Sequence, residues 1–277
     1  NEPKELSVPS ENTSARVCFD DEALYIFIES FDSQPEKIKK TLVRRDRWMD
    51  GFANNSDWVG VTIDSKNDDY NGYFFAVNAS GVIMDVALSG EWNYDPTWNP
   101  VWDVNIAFND TGWAAEFKLP FAVFQFENKP DMEWGIEFER SIHRLQERVG
   151  WPGRSKSIRG LILPLGVLRG INNIPTPNQL EVIPYALTGY SDEAHNNIGL
   201  DMRYGLTSNS VVKITFNPDF GQVEADPSVL NLSAFETFYE EKRPFFSEGS
   251  EFFSHRISLF NSRRIGRRPN YYTPDDG

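Results

Sequence analysis

Four tryptophans stand in polar surroundings, where an indole plane is free to serve as a binding surface. Trp92 and Trp98 fall in Glu91-Trp-Asn-Tyr-Asp-Pro-Thr-Trp-Asn-Pro-Val-Trp-Asp103, Trp48 sits among charged residues, and Trp151 precedes a proline. A sugar ring presents a C–H face to an indole, so such rings supply what a saccharide site needs. Trp102, Trp113 and Trp134 lie inside alternating runs and read as core. A second candidate is a calcium site: Asp64, Asp68 and Asp69, with Asn67, place oxygen donors within six residues. The spacing is not that of an EF-hand, and a polar hairpin loop carries the same acids. A third is the pair Glu137 and Glu139, two apart on one strand and hence on one face, with Glu116 nearby in sequence. Two carboxylates flanking a bond are what glycoside hydrolysis requires, although the polar face of a half-buried strand has the same pattern. His143 has no Ser, Cys or second His at triad or ligand spacing, and no Gly-rich phosphate loop precedes a helix.

The elements that position these residues are short strands. Turn signals recur about every ten residues between alternating runs: Ser14 to Phe19, Leu24 to Phe31, Trp58 to Asp64, Tyr73 to Asn78, Val82 to Val86, Val101 to Phe108, Trp113 to Leu119 and Trp134 to Arg140. Helical periods are confined to single turns at Pro35 to Lys40 and Phe121 to Phe126. The pattern predicts an all-β fold, an antiparallel, jelly-roll-like β-sandwich over residues 1–165. A Pro-, Gly- and Asn-rich link follows at 166–178. Residues 179–277 then open a further β domain, with strands at about 179–190, 197–206 and 210–217 and a long irregular tail.

Composition bounds the partners. The 277 residues are 40% hydrophobic and 14% aromatic, enough for a folded core. The formal charge of −14 argues against a nucleic-acid partner, because phosphate binding needs clustered Lys and Arg. The basic run Arg263-Arg-Ile-Gly-Arg-Arg268 reads as a solvated or partner-facing loop. The single Cys18 forms no internal disulfide and is expected to be buried as a small apolar residue. There is no run of about 18 apolar residues to cross a membrane as a helix. No signal peptide is visible, and a chain opening on Asn1 is expected to start further upstream.

The tail carries the least ordinary strings, Asn217-Pro-Asp-Phe-Gly-Gln-Val-Glu-Ala-Asp226 and Glu240-Glu-Lys-Arg-Pro-Phe-Phe-Ser-Glu-Gly249. Their acids read either as a metal or catalytic cluster or, preferably, as partners for Lys242, Arg243, Arg263 and Arg264 that organise a long loop.

Phe19-Asp-Asp-Glu-Ala-Leu-Tyr-Ile26, Asp57-Trp-Val-Gly-Val-Thr-Ile-Asp64, Tyr73-Phe-Phe-Ala-Val-Asn78, Gly112-Trp-Ala-Ala-Glu-Phe-Lys-Leu-Pro120 and Trp134-Gly-Ile-Glu-Phe138 resemble the family 9 carbohydrate-binding modules. From Leu180 onward the chain resembles the domain of unknown function that follows such a module in large bacterial envelope proteins. The resemblance implies a non-catalytic module that binds an oligo- or polysaccharide, with its first strand missing from this sequence. It places that module in the bacterial cell envelope, at the outer membrane or in the periplasm. Behind it the resemblance implies an outer-membrane barrel; three strands cannot close one, so most of it lies beyond Gly277. Two tryptophans sandwich the sugar in binding members. Trp151, ahead of Gly160-Leu-Ile-Leu163, is close to one position, and Trp48 is the substitute at the other; Asp57, Trp92 and Trp98 complete the candidate ligand set. Where those members hold a carboxylate and an arginine, this chain has Gly60 and Ala76. The alternatives are a structural or plug module of the barrel, and part of a glycoside hydrolase.

Overall fold

A computed structural model describes residues 3–46, 51–90, 93–95, 98–153, 157, 160, 162, 165–174, 180–190, 194–207 and 210–217. Its described elements are antiparallel strands and single helical turns, the latter at Pro35–Lys37, Ala53–Asn55, Phe121–Val123 and His143–Leu145. Both expected helical segments are thus shorter than the sequence suggests. Pro35 opens one turn, and the extended backbone of Phe124 ends the other.

Two sheets form the front of the chain. In the first, β1 (Thr13–Phe19), β2 (Ala23–Phe31), β8 (Gly112–Pro120) and β7 (Asp103–Asn109) run in the order β1-β2-β8-β7. The second has the order β10-β9-β3-β4-β5-β6: β10 (Glu147–Trp151), β9 (Met132–Ile142), β3 (Trp58–Asp64), β4 (Asn71–Asn78), β5 (Ile83–Ser89) and β6 (Asn93–Asp95). β11 (Gly166–Ile171) also pairs with β9, beyond the end of β10, inside the stretch expected to be a bare link. Its Leu168 and Ile171 pack into the core, a pull that Pro and Gly counts conceal.

The sandwich follows from period two. Leu24, Ile26 and Ile28 on β2 and Ala115, Phe117 and Leu119 on β8 face Val59, Val61 and Ile63 on β3, Phe75 and Val77 on β4, and Trp134 and Ile136 on β9. Aromatic rings fill the middle: Trp102 stacks on Phe117 at 5.9 Å, and Phe75 meets Trp98 and Trp102 edge-on at 5.5 and 5.2 Å. β3, which alternates as a half-buried strand does, is buried on both faces. On its outer side Phe52, Trp58, Phe74, Ala76, Met84 and Val86 form a second apolar layer. A Cβ on Gly60 would stand 2.8 Å from the Phe74 ring, so the missing side chain is what lets the ring cross β3. Cys18, expected inside, is exposed, because β1 is an edge strand and its Cys18 pairs across from Tyr25 on the outward row.

A separate three-stranded sheet has the order β12 (Leu180–Tyr190), β13 (Ala194–Thr207), β14 (Ser210–Phe216). Tyr185 lies over Gly199, where a Cβ would sit 2.2 Å from the ring, and its hydroxyl donates to the carbonyl of Asn217 at 2.9 Å. Thr215 donates to Asp201 at 2.6 Å on that polar face. The alternate residues are apolar and exposed, Ile198 at 74% and Phe216 at 57% among them. Most of the tail, including Asp219 to Gly277 and its acidic and basic strings, falls outside the described residues.

Gly112 starts β8 opposite Phe31 with φ of 147°, and a Cβ there would stand 2.0 Å from the Ser30 carbonyl oxygen. Gly112→Ala is therefore expected to cost at least ~2 kcal/mol of stability. A urea midpoint unchanged from the parent protein would show that this turn does not constrain the first sheet.

Candidate functional site

At one side of the sandwich the edge strands β1 and β10 leave a groove of about 580 Å³ between the sheets. Its walls come from the segment before β1 (Leu6, Pro9, Asn12), from β1 itself (Ala15) and from β9 and β10 (Phe138, Val149, Trp151). Trp151 stands at this groove, 56% exposed, the only described tryptophan on the surface. One side of its indole is supported, by Phe138 at 6.0 Å and by the backbone of Gly166, where a Cβ would come within 2.7 Å of the ring. The pairing of Trp151 with Phe138 puts both side chains on the inter-sheet side of the larger sheet. Ile28, 1% exposed, also lines the groove.

Behind the groove lies a cluster of buried charge. Arg140 follows Trp134, Ile136 and Phe138 at period two, so it points between the sheets and is 2% exposed. Its guanidinium donates to the carbonyls of Asn12 (2.9 Å) and Phe31 (2.8 Å) and to the Thr13 hydroxyl (3.1 Å). Asp32 lies 3.8 Å from it and accepts from Arg144 at 2.7 Å; Arg144 also bonds Glu11. Burial holds the Arg140 pKa below the usual arginine range, against the pull of Asp32 and Asp57. Sequence reasoning missed Arg140, although its parity with the apolar residues of β9 was the signal.

The sequence candidates are scattered rather than gathered. Asp57 is buried and structural: its Oδ2 accepts the Lys39 N–H at 2.8 Å, fixing the chain that leads into β3. Trp98, expected to show its ring in a polar loop, is instead enclosed in the core against Tyr73 at 4.9 Å, so no face is left for a ligand. Trp48 and Trp92 lie outside the described residues.

The loop acids bind their own backbone. Asp64 is buried and accepts from the N–H groups of Lys66 (3.1 Å) and Asp69 (2.9 Å), while Asp68 accepts from those of Tyr70 and Asn71. Burial raises the Asp64 pKa; hydrogen bonds from Asn71 and Tyr70 lower that of Asp68 against the opposing effect of its own desolvation. Among the described residues no three His, Cys, Asp or Glu side chains converge as metal ligands.

Glu139 forms a two-pronged ion pair with Arg148 (2.9 and 3.0 Å), and Arg148 lies 5.2 Å over the Trp58 ring. Glu137 shares that outer face and is buried. Glu116 is on the outside of the other sheet, so it cannot flank a bond together with Glu137 or Glu139.

Residues 176–276 match the family model described as a domain of unknown function, DUF5916. No curated protein matches the chain. Among solved structures, a family 9 carbohydrate-binding module from Caldicellulosiruptor kristjanssonii, in complex with cellotriose, is similar at 15% identity and a TM-score of 0.36. That alignment covers 52% of this chain and 66% of that one, just under two thirds of its length. A proposed carbohydrate-binding protein from Bacteroides uniformis is similar at 13% identity and a TM-score of 0.44, over 57% of this chain and 78% of that one.

Burial raises the Asp57 carboxyl above the ordinary value of 3.8, outweighing the hydrogen bonds from Lys39 and His143 and the attraction of Arg140. The folded state therefore holds the proton more tightly than the unfolded chain. This proton's contribution to stability is complete below the ordinary value and is lost as pH rises through the folded pKa. The ionised form is favoured less in the fold than in the unfolded chain, so the parent gains stability on acidification through the folded pKa. Asp57→Asn removes this titration and is expected to gain less stability than the parent on acidification. Thermal melts from neutral to mildly acid pH check this; parallel pH profiles for the two proteins would contradict it.

Proposed function

We propose that the front sandwich is a non-catalytic saccharide-binding module whose ligand stacks on Trp151. The observation that carries this reading is the exposed indole of Trp151, backed by the tilted ring of Phe138 and by Gly166 and open to the groove. A rigid ring of this kind binds a pyranose face at little entropic cost. The described carboxylates support binding rather than hydrolysis: Glu139 is neutralised by Arg148, and Glu116 is on the other sheet. Calorimetry against plant and host glycans tests the reading. Trp151→Ala is expected to weaken the best ligand by ~1–3 kcal/mol, about 5- to 150-fold, by analogy with other stacked rings. Absence of heat with every glycan in the parent protein would remove the proposal.

We also propose that the three-stranded sheet belongs to a membrane barrel, which would set the module at a bacterial outer membrane. On β13, Ile198, Leu200, Met202, Tyr204 and Leu206 alternate with Gly199, Asp201, Arg203, Gly205 and Thr207; on β14, Ile214 and Phe216 flank Thr215. An exposed apolar row backed by a polar row is the pattern of a strand facing lipid on one side. No described helix is long and apolar enough to cross a membrane, a finding without bearing on strands. Ile198→Lys with Ile214→Lys is expected to reduce co-flotation of the chain with phospholipid vesicles severalfold, in line with the ~2–4 kcal/mol cost of a mid-bilayer Lys. Equal flotation of variant and parent would count against a lipid-facing row.

A further inference from the structure

We infer that the groove takes an uncharged glycoside carrying an aliphatic chain, rather than a bare sugar; this rests on the saccharide reading of Trp151. Trp151 supplies a stacking plane for a sugar ring, but the space beside it is lined mainly by Leu6, Pro9, Ala15, Phe138 and Val149, and the Ser7 and Thr13 hydroxyls there are already bonded to Lys4 and Arg140. A sugar pushed among these side chains would lose the hydration of its hydroxyls and find few partners in exchange. The charged groups that line the groove are already engaged. Arg140 is committed to Asn12, Thr13 and Phe31; Glu11 is bonded to Ser33 and Arg144; Glu139 is paired with Arg148. Among the described residues the lining charges are thus paired or bonded within the protein, which favours a neutral ligand there. At about 580 Å³ the groove lies within the range of pockets that enclose ligands larger than a single stacked ring. Sugar on the indole and hydrocarbon against Leu6, Pro9 and Val149 is the division that satisfies both surfaces.

Matched methyl, butyl, hexyl and octyl glycosides of glucose, galactose and mannose, kept below micelle formation, are titrated into the full chain while Trp fluorescence and heat are followed. Affinity is expected to rise about three- to fourfold per methylene that enters the groove, the equivalent of ~0.8 kcal/mol each, and then to level off as the groove fills. Ala15→Leu, which narrows the groove from an exposed edge strand, is expected to cut that chain-length gain. Equal affinities for methyl and octyl glycosides would overturn the inference while leaving the saccharide reading standing. Binding of 1-octanol as tight as that of octyl glycosides would show that the sugar contributes nothing and overturn both. Binding of none of these probes, together with none of the glycans, would also overturn both. The parent protein's chain-length series decides the matter even if the Ala15 variant does not fold.

Discussion

The end of the sandwich that holds the groove depends on one buried cation. Arg140 enters the inter-sheet space from β9 and donates to carbonyls just before β1 and at the end of β2, so it ties one sheet to the other through backbone atoms. A buried guanidinium is tolerated only when its charge is compensated. Asp32 and Asp57 supply that charge, and Arg144 and Glu11 extend the network to the segment ahead of β1. The groove exists where this polar cluster, rather than apolar packing, spans the gap between the sheets.

Tryptophan divides between two tasks. Trp58, Trp98, Trp102, Trp113 and Trp134 are buried and account for much of the aromatic content in packing. Trp151 differs because β10 is an edge strand: its ring has a neighbour strand on one side and solvent on the other. The outer face of β3 and β4 is closed by Phe74 crossing Gly60, and Phe52, Trp58, Ala76, Met84 and Val86 complete the apolar layer there.

Strand identity was legible, because period-two alternation between turn signals leaves little freedom: Ala23–Phe31 and Gly112–Pro120 lie within one residue of the expected runs at each end. The resemblance from Leu180 onward was legible as well, and the match over residues 176–276 agrees with it. β10 and β11 were not. Glu147–Trp151 is short and half polar, and Gly166–Ile171 hides among glycines and prolines; each is a strand because β9 offers it an open edge. For the site, polar neighbours were a poor guide to exposure. Trp98 sits among Pro, Thr and Asn in sequence yet turns into the core between Tyr73 and Phe75.

Alternation and turn chemistry settle what one strand can know about itself: which side chains share a face and where the chain reverses. Which faces meet is a matter of long-range pairing. Only the assembled sheets decided that β3 would be covered on both sides, that Asp64 and Asp68 would bond backbone N–H groups of their own loop, and that Trp151 would keep one side open. Burial belongs to a residue's neighbours in space, and a linear string does not contain them.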